Sequence, residues 1–175
     1  MIKKSNSFNT NDAILDKQFI DSFIIDLNTE LSKRNKNLEI TIYGGSCLCL
    51  LTAFRTSTYD IDTKSTDDRL LEECVQSLGL TKDLVNTEIS VFMNGKESLE
   101  IYKSMSHLTV KLPTLEYLLA LKCKACRGKD LDDVKHLCKL LSINTMDELY
   151  SNFRKFYSPV LFNDRRIKIL EEVFR

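Results

Sequence analysis

Apolar residues recur at three- and four-residue spacing in the first thirty positions, with Ile14, Phe19, Phe23, Ile24, Leu27 and Leu31 on one stripe. That spacing predicts an amphipathic helix beginning at Asn11 or Asp12. The polar run Arg34-Asn35-Lys36-Asn37 ends it, and Leu38–Tyr43 has the character of a first strand. After Gly44-Gly45-Ser46, the apolar stretch from Cys47 to Phe54 is long enough for about two helical turns. Thr58–Thr63 follows as a second strand. Thr66, Asp67 and Asp68 form a helix start, with acidic groups at the positive end of the dipole. Leu70, Leu71, Cys74, Val75 and Leu78 form its buried face up to Gly79. Residues 88–93 and Leu99–Tyr102 predict strands around an Asn94-Gly95 turn. Leu108–Leu112 is another strand, stopped by Pro113.

Helical patterning takes over from Thr114. An unusually apolar helix carries Leu115, Tyr117, Leu118, Leu119, Ala120, Leu121, Cys123, Ala125 and Cys126, and Gly128 is placed to end it. Asp130 is placed to cap the next helix, whose apolar positions are Leu131, Val134, Leu137, Cys138 and Leu141. Thr145-Met146-Asp147-Glu148 is a capping-box start. Ser158-Pro159 breaks that helix, and Asn163 or Asp164 opens a last one with Ile167, Ile169, Leu170 and Val173. Strands in the middle and helices at both ends argue an α+β fold. Its expected parts are residues 1–112, a small mixed β-sheet core with an N-terminal helix, and 113–175, a helical C-terminal part packed on the core.

Lys+Arg and Asp+Glu are equal at 25 each. No global field therefore draws the chain to nucleic acid or an anionic membrane, and such a contact has to come from a local basic patch. No apolar run approaches the ~20 residues of a membrane span, and the polar start MIKKSNSFNTND has no signal-peptide core. Most of the six cysteines fall in apolar stretches, where Cys packs as a small hydrophobe. The expected location is a reducing cytoplasm.

Chemistry concentrates in Tyr43–Asp62. Glycines let a backbone turn tightly and approach a ligand closely. Free amides at a helix start, with the Ser46 hydroxyl, suit a phosphate. In a strand Asp60 and Asp62 share a face while Ile61 points to the core. Two such carboxylates repel unless something neutralises them, and they can hold hard cations that also touch phosphate oxygens. The bland alternatives are a solvated strand face and a serine that only caps a helix. In a second cluster, Lys122 falls within a nearly all-apolar helical run, where a charge is expensive without a job or a partner. It either neutralises a triphosphate or snorkels to water. Asp130 and Asp133 have a structural explanation near the positive end of the following helix. Lys124, Arg127 and Lys129 form a local basic patch. The spacing of Cys123, Cys126, His136 and Cys138 fits an apolar core face better than zinc, and two histidines give acid–base chemistry little support.

The apolar-Gly-Gly-Ser pattern, with Asp-Ile-Asp thirteen residues on, resembles the signature of the DNA polymerase β-like nucleotidyltransferase superfamily. LEYLLALKCKACRGKDLDDV resembles the Lys-containing helix and basic-Asp-x-x-Asp motif of AbiEii-like nucleotidyltransferases, a group that includes toxins of toxin–antitoxin systems. The resemblance touches residues 38–175. It implies that Gly44, Gly45 and Ser46 hold nucleotide phosphates, that Asp60 and Asp62 bind Mg2+, and that Lys122 contacts phosphate. It further implies that Asp133, and less directly Asp130, completes the site, and Arg55 is placed to reach phosphate too. The third carboxylate usual in the superfamily has two candidates, Glu100 and Glu88. The implied reaction moves an NMP from an NTP to a hydroxyl, on a tRNA 3′ end or a partner protein, in a toxin–antitoxin or defence setting. The alternative is a nucleotide-binding module that acts as an antitoxin or regulatory partner without turnover.

Overall fold

The computed structural model describes residues 14–87 and 96–175. The predicted strand at 88–93 and the Asn94-Gly95 turn lie outside the described residues. Among those residues the chain forms seven α-helices and seven short strands, an α+β fold.

Strand β1 (Leu15–Asp16) leads directly into α1 (Lys17–Lys33). The helix thus begins later than its apolar stripe predicts, because Leu15 and Asp16 pair antiparallel with Thr58 and Ser57 of β3 (Ser57–Thr58). Asp16 then caps the helix, accepting the Phe19 amide at 2.8 Å. Ile20, Phe23, Ile24, Leu27 and Leu31 form its buried stripe, each worth about 1.5–3 kcal/mol relative to exposure. Ile14, counted on that stripe, is outside the helix and 65% exposed.

A five-stranded sheet has the order β5-β4-β2-β7-β6, from β2 (Leu38–Ile42), β4 (Ile61–Ser65), β5 (Val85–Asn86), β6 (Leu99–Ser104) and β7 (Leu108–Pro113). Strands β2 and β4 run antiparallel, with Ile42 opposite Thr63. Strands β4 and β5 run parallel, with Asp62 opposite Asn86. The sheet is therefore mixed. Between β2 and β4 the chain forms α2 (Gly44–Leu51), which buries Ser46, Cys47, Leu48, Cys49 and Leu50. This helix starts at the glycines themselves rather than after them. From β4 the chain passes into α3 (Asp68–Ser77), capped by Asp67 on the Leu70 amide at 3.0 Å.

Contacts divide the described residues into two compact units, one within Met1–Ile89 and Lys103–Val110, the other within Ser90–Tyr102 and Lys111–Arg175. The second unit holds α4 (Leu115–Ala125), α5 (Leu131–Leu140), α6 (Met146–Arg154) and α7 (Asp164–Leu170). Thr114, Thr145 and Asn163 cap α4, α6 and α7 through their side chains. Helix α4 ends at Cys126, not Gly128, because Cys126 takes the left-handed conformation at φ +46° and its amide reaches the Lys122 carbonyl. Gly128 instead opens the 3-10 turn Gly128–Asp130. Tyr117, Phe153, Phe156, Tyr157 and Phe162 stack as an aromatic cluster, with Phe153 and Phe162 centroids 5.0 Å apart. Among the described residues, no helix is long and apolar enough to cross a membrane.

Candidate functional site

The first unit gathers Gly44, Gly45, Arg55, Asp60 and Asp62 around the start of β4. Gly44 opens α2 at φ +62°, a left-handed conformation that side chains disfavour. A Cβ added there would also collide with Oδ2 of Asp62. At Gly45 a Cβ would lie 2.5 Å from Thr58 Oγ1 and 3.5 Å from the Arg55 guanidinium. The glycine pair thus brings the first helical turn flat against an aspartate, a threonine and an arginine. Amides of a first turn have no acceptor within their helix, so this end of α2 is suited to an anion. Arg55 adds a fixed positive charge, held by donation from its Nε to the Ser57 carbonyl at 2.9 Å.

Asp62 is the second residue of β4 and is half-buried. Its carbonyl accepts the Tyr43 amide at 2.8 Å, and its Oδ1 accepts from Asn86 Nδ2 at 3.0 Å. Asp60 departs from expectation. It lies in the link between β3 and β4 rather than in a strand, because β3 leaves to pair with β1. The two carboxylates are therefore brought to the mouth of β4 by a kinked link, not by strand alternation, although Ile61 does face the core. Thr58 Oγ1 reaches Asp60 Oδ1 at 3.5 Å, and among the described residues Asp60 has no cationic partner. Ser46 is fully buried, and its hydroxyl is shared between the carbonyls of Tyr43 (3.3 Å) and Asp60 (3.1 Å). Its side chain thus ties the Asp60 link to α2, and only its backbone amide is left for a phosphate.

Asp60 also borders a cleft of about 420 Å³ between α3 and β5, whose polar lining includes Glu72, Lys82, Asp83, Asn86 and Thr87. Lys82 pairs with Glu72 inside it. Hard carboxylate oxygens suit Mg2+, which is commonly held by one or two carboxylates with substrate phosphates and water completing its shell. Asp60 and Asp62 fit that pattern. Among the described residues no group of three or more potential protein ligands is gathered anywhere.

Lys122, Asp130 and Asp133 come together in the second unit. Lys122 neither snorkels nor stands alone: its side chain is buried, with Nζ 2.9 Å from Asp130 and 2.8 Å from Asp133. Asp130 makes no side-chain cap for α5; its other oxygen accepts the Arg127 amide at 3.3 Å and pairs with Arg127 Nε at 2.9 Å. Burial pushes the Asp130 carboxyl up, but the Arg127 hydrogen bond and the Lys122 charge outweigh it and hold the group below the ordinary carboxylate range. The ammonium is already matched by two buried carboxylates, which satisfies the demand for a partner that its apolar setting creates.

The expected basic patch is largely spent inside the second unit. Lys124 stacks over the Tyr157 ring at 4.6 Å, and Arg166 donates to the carbonyls of Lys124 and Leu161. Lys129, Arg165 and Lys168 remain exposed. Glu100 is exposed on β6, and Glu88 lies outside the described residues. The cysteines are free thiols, and His136 Nδ1 is 2.7 Å from the Asp132 carbonyl. Sequence patterning missed β5 and with it Asn86, for which the apolar pair Leu84-Val85 was the available signal.

A crystal structure of an antigenic nucleotidyltransferase-like protein from Paracoccidioides brasiliensis is similar in fold at 16% identity, with a TM-score of 0.49, over 91% of this chain and 95% of that one. No curated protein matches the chain. The family model that matches is not that of the AbiEii-like group which the second motif resembles, but one within the broader nucleotidyltransferase description. It covers residues 22–174, and the chain belongs to that family, described as Nucleotidyltransferase of unknown function (DUF6036).

Proposed function

We propose that this chain is a Mg2+-dependent nucleotidyltransferase that moves an NMP from an NTP to a hydroxyl acceptor. The observation that carries the proposal is the close approach of Gly44 to Asp62, with Arg55 over Gly45. It pairs a phosphate-binding helix start with two carboxylates suited to a hard cation. The amides of Gly44, Gly45 and Ser46 and the Arg55 guanidinium would hold the β- and γ-phosphates. Asp60 and Asp62 would hold Mg2+, which when bound neutralises phosphate charge and makes the α-phosphorus easier to attack. The acceptor oxygen bonds to the α-phosphorus, the bridge to the β-phosphate breaks, pyrophosphate leaves, and the hydroxyl proton passes to solvent.

In-line displacement needs the nucleophile and leaving group on opposite sides of phosphorus. Strand β4 has β2, which feeds the glycine turn, on one side and β5, which borders the cleft, on the other. In this proposal the acceptor enters through the cleft that Asp60 borders. Asp60, Glu72 and Asp83 oppose Lys82 there. With Glu72 paired to Lys82 and Asp60 given to the cation, Asp83 leaves the cleft weakly acidic, which favours a hydroxyl on a partner protein over a tRNA end. In this proposal Lys122 and Asp133 act as positioning groups that fix α4 against α5. A toxin–antitoxin or defence role rests on the AbiEii-like resemblance.

The test is incubation with each α-labelled NTP, Mg2+, total tRNA and cell lysate, beside an Asp60→Ala/Asp62→Ala control. Label in a protein band that disappears with the double variant is the expected result. Label confined to RNA would overturn the acceptor assignment. Bound nucleotide with no transfer would make the chain a binding module, and no nucleotide binding would overturn both.

A further inference from the structure

We infer that Asn86 is a positioning residue for the cation site, orienting the Asp62 carboxylate through its side-chain amide; this deepens the proposed function and rests on it. The parallel register sets Asn86 directly beside Asp62. Its Nδ2 donates to Asp62 Oδ1 at 3.0 Å, while the glycine backbone at position 44 crowds the other carboxylate oxygen, Oδ2. Oδ1 is thereby held by a hydrogen bond, and Oδ2 lies where only a glycine at 44 leaves it room. Thr63 Oγ1 in turn donates to the Asn86 carbonyl at 3.3 Å, which fastens β5 to β4 beside the pair.

The chain itself supplies the contrast. Asp130 and Asp133 are held by the Lys122 ammonium, which cancels charge. Asn86 offers Asp62 an amide, a neutral donor that orients a carboxylate without itself cancelling charge. Hydrogen-bond partners of metal-ligating carboxylates set ligand orientation, and losing one typically weakens metal binding ~10–100-fold. Asn86 also lines the cleft beside Asp60, so the group that orients Asp62 faces the space assigned to the acceptor.

Mn2+, a paramagnetic stand-in for Mg2+, gives a readout independent of turnover. Its affinity would be measured by water-proton relaxation and the melting temperature by circular dichroism, for wild type, Asn86→Ala and Asp62→Asn. Expected are weaker Mn2+ binding by ~10–100-fold in Asn86→Ala, a melting temperature lowered by no more than ~3–12 °C, and loss of binding in Asp62→Asn. If Asn86→Ala binds Mn2+ as wild type does while Asp62→Asn does not, the inference about Asn86 is overturned and the functional reading stands. If wild type binds no Mn2+, or Asp62→Asn binds it unchanged, the functional reading fails and takes this inference with it. Should Asn86→Ala not fold, Asn86→Ser, too short to reach Asp62 Oδ1, decides by the same readouts.

Discussion

Replacing Gly44 with alanine imposes two separable penalties. At φ +62° an alanine pays the left-handed backbone cost, about 1–2 kcal/mol. Its Cβ would also overlap Asp62 Oδ2, so the carboxylate has to move. Moving it breaks the Asn86 bond to Oδ1, a hydrogen bond to a charged group worth about 1.5–3 kcal/mol. The sum is about 2.5–5 kcal/mol, or a melting temperature lowered by roughly 5–20 °C for a chain of this size. The second penalty belongs to the Asp62 carboxylate. With Asp62→Ala, only its Cβ remains nearby, at 3.5 Å from the added Cβ, an ordinary contact. Gly44→Ala should therefore cost only about 1–2 kcal/mol in the Asp62→Ala background. Urea unfolding of wild type, both single variants and the double variant gives the coupling directly. Equal costs of Gly44→Ala in both backgrounds would show that the glycine is not there for Asp62. A cost below about 0.5 kcal/mol would refute the backbone argument as well.

Three further outcomes follow from the second unit. Lys122→Met strands two buried carboxylates and should destabilise by about 3–5 kcal/mol in urea unfolding. Asp130, whose pKa is depressed in the folded chain, contributes stability that is present above its unfolded pKa of about 3.9 and is lost as pH falls through its lower folded value. Wild type should accordingly lose stability below about pH 4, and Asp130→Asn should flatten that limb; an unchanged acid limb would contradict the ion network. Burial raises the Cys123 thiol well above its ordinary value and Cys138 to about 11. Neither should react with a disulfide reagent at pH 8 until the chain unfolds, and half-buried Cys126 should react first. Mass mapping that finds Cys123 or Cys138 labelled early would contradict the burial.

Much of the fold is legible because it is local. Asp67, Thr114, Thr145 and Asn163 cap their helices where the residue types predict, since a cap needs only its own next turn. The errors lie where distant residues decide. Helix α1 starts late because Leu15 and Asp16 are claimed by β3, and the same pairing takes Thr58 into β3 and splits one expected strand into two. Composition marked Lys122 as costly but could not name its partners, which only folding brings within 3 Å. Asn86 was invisible for a related reason: a two-residue strand carries no periodicity, and its role comes from parallel pairing with β4. Gly44, Gly45, Asp60 and Asp62 were found together because glycines and alternating acids are conspicuous in sequence. What the glycines approach was not.

The most direct test of the central claim is the labelled-NTP reaction, run with and without Mg2+ on wild type and on Asp60→Ala/Asp62→Ala protein. Transfer that requires Mg2+ and vanishes with the two aspartates is the result expected from the site around Gly44 and Asp62. Transfer that persists in the double variant, or that proceeds equally well in a chelator, would contradict it.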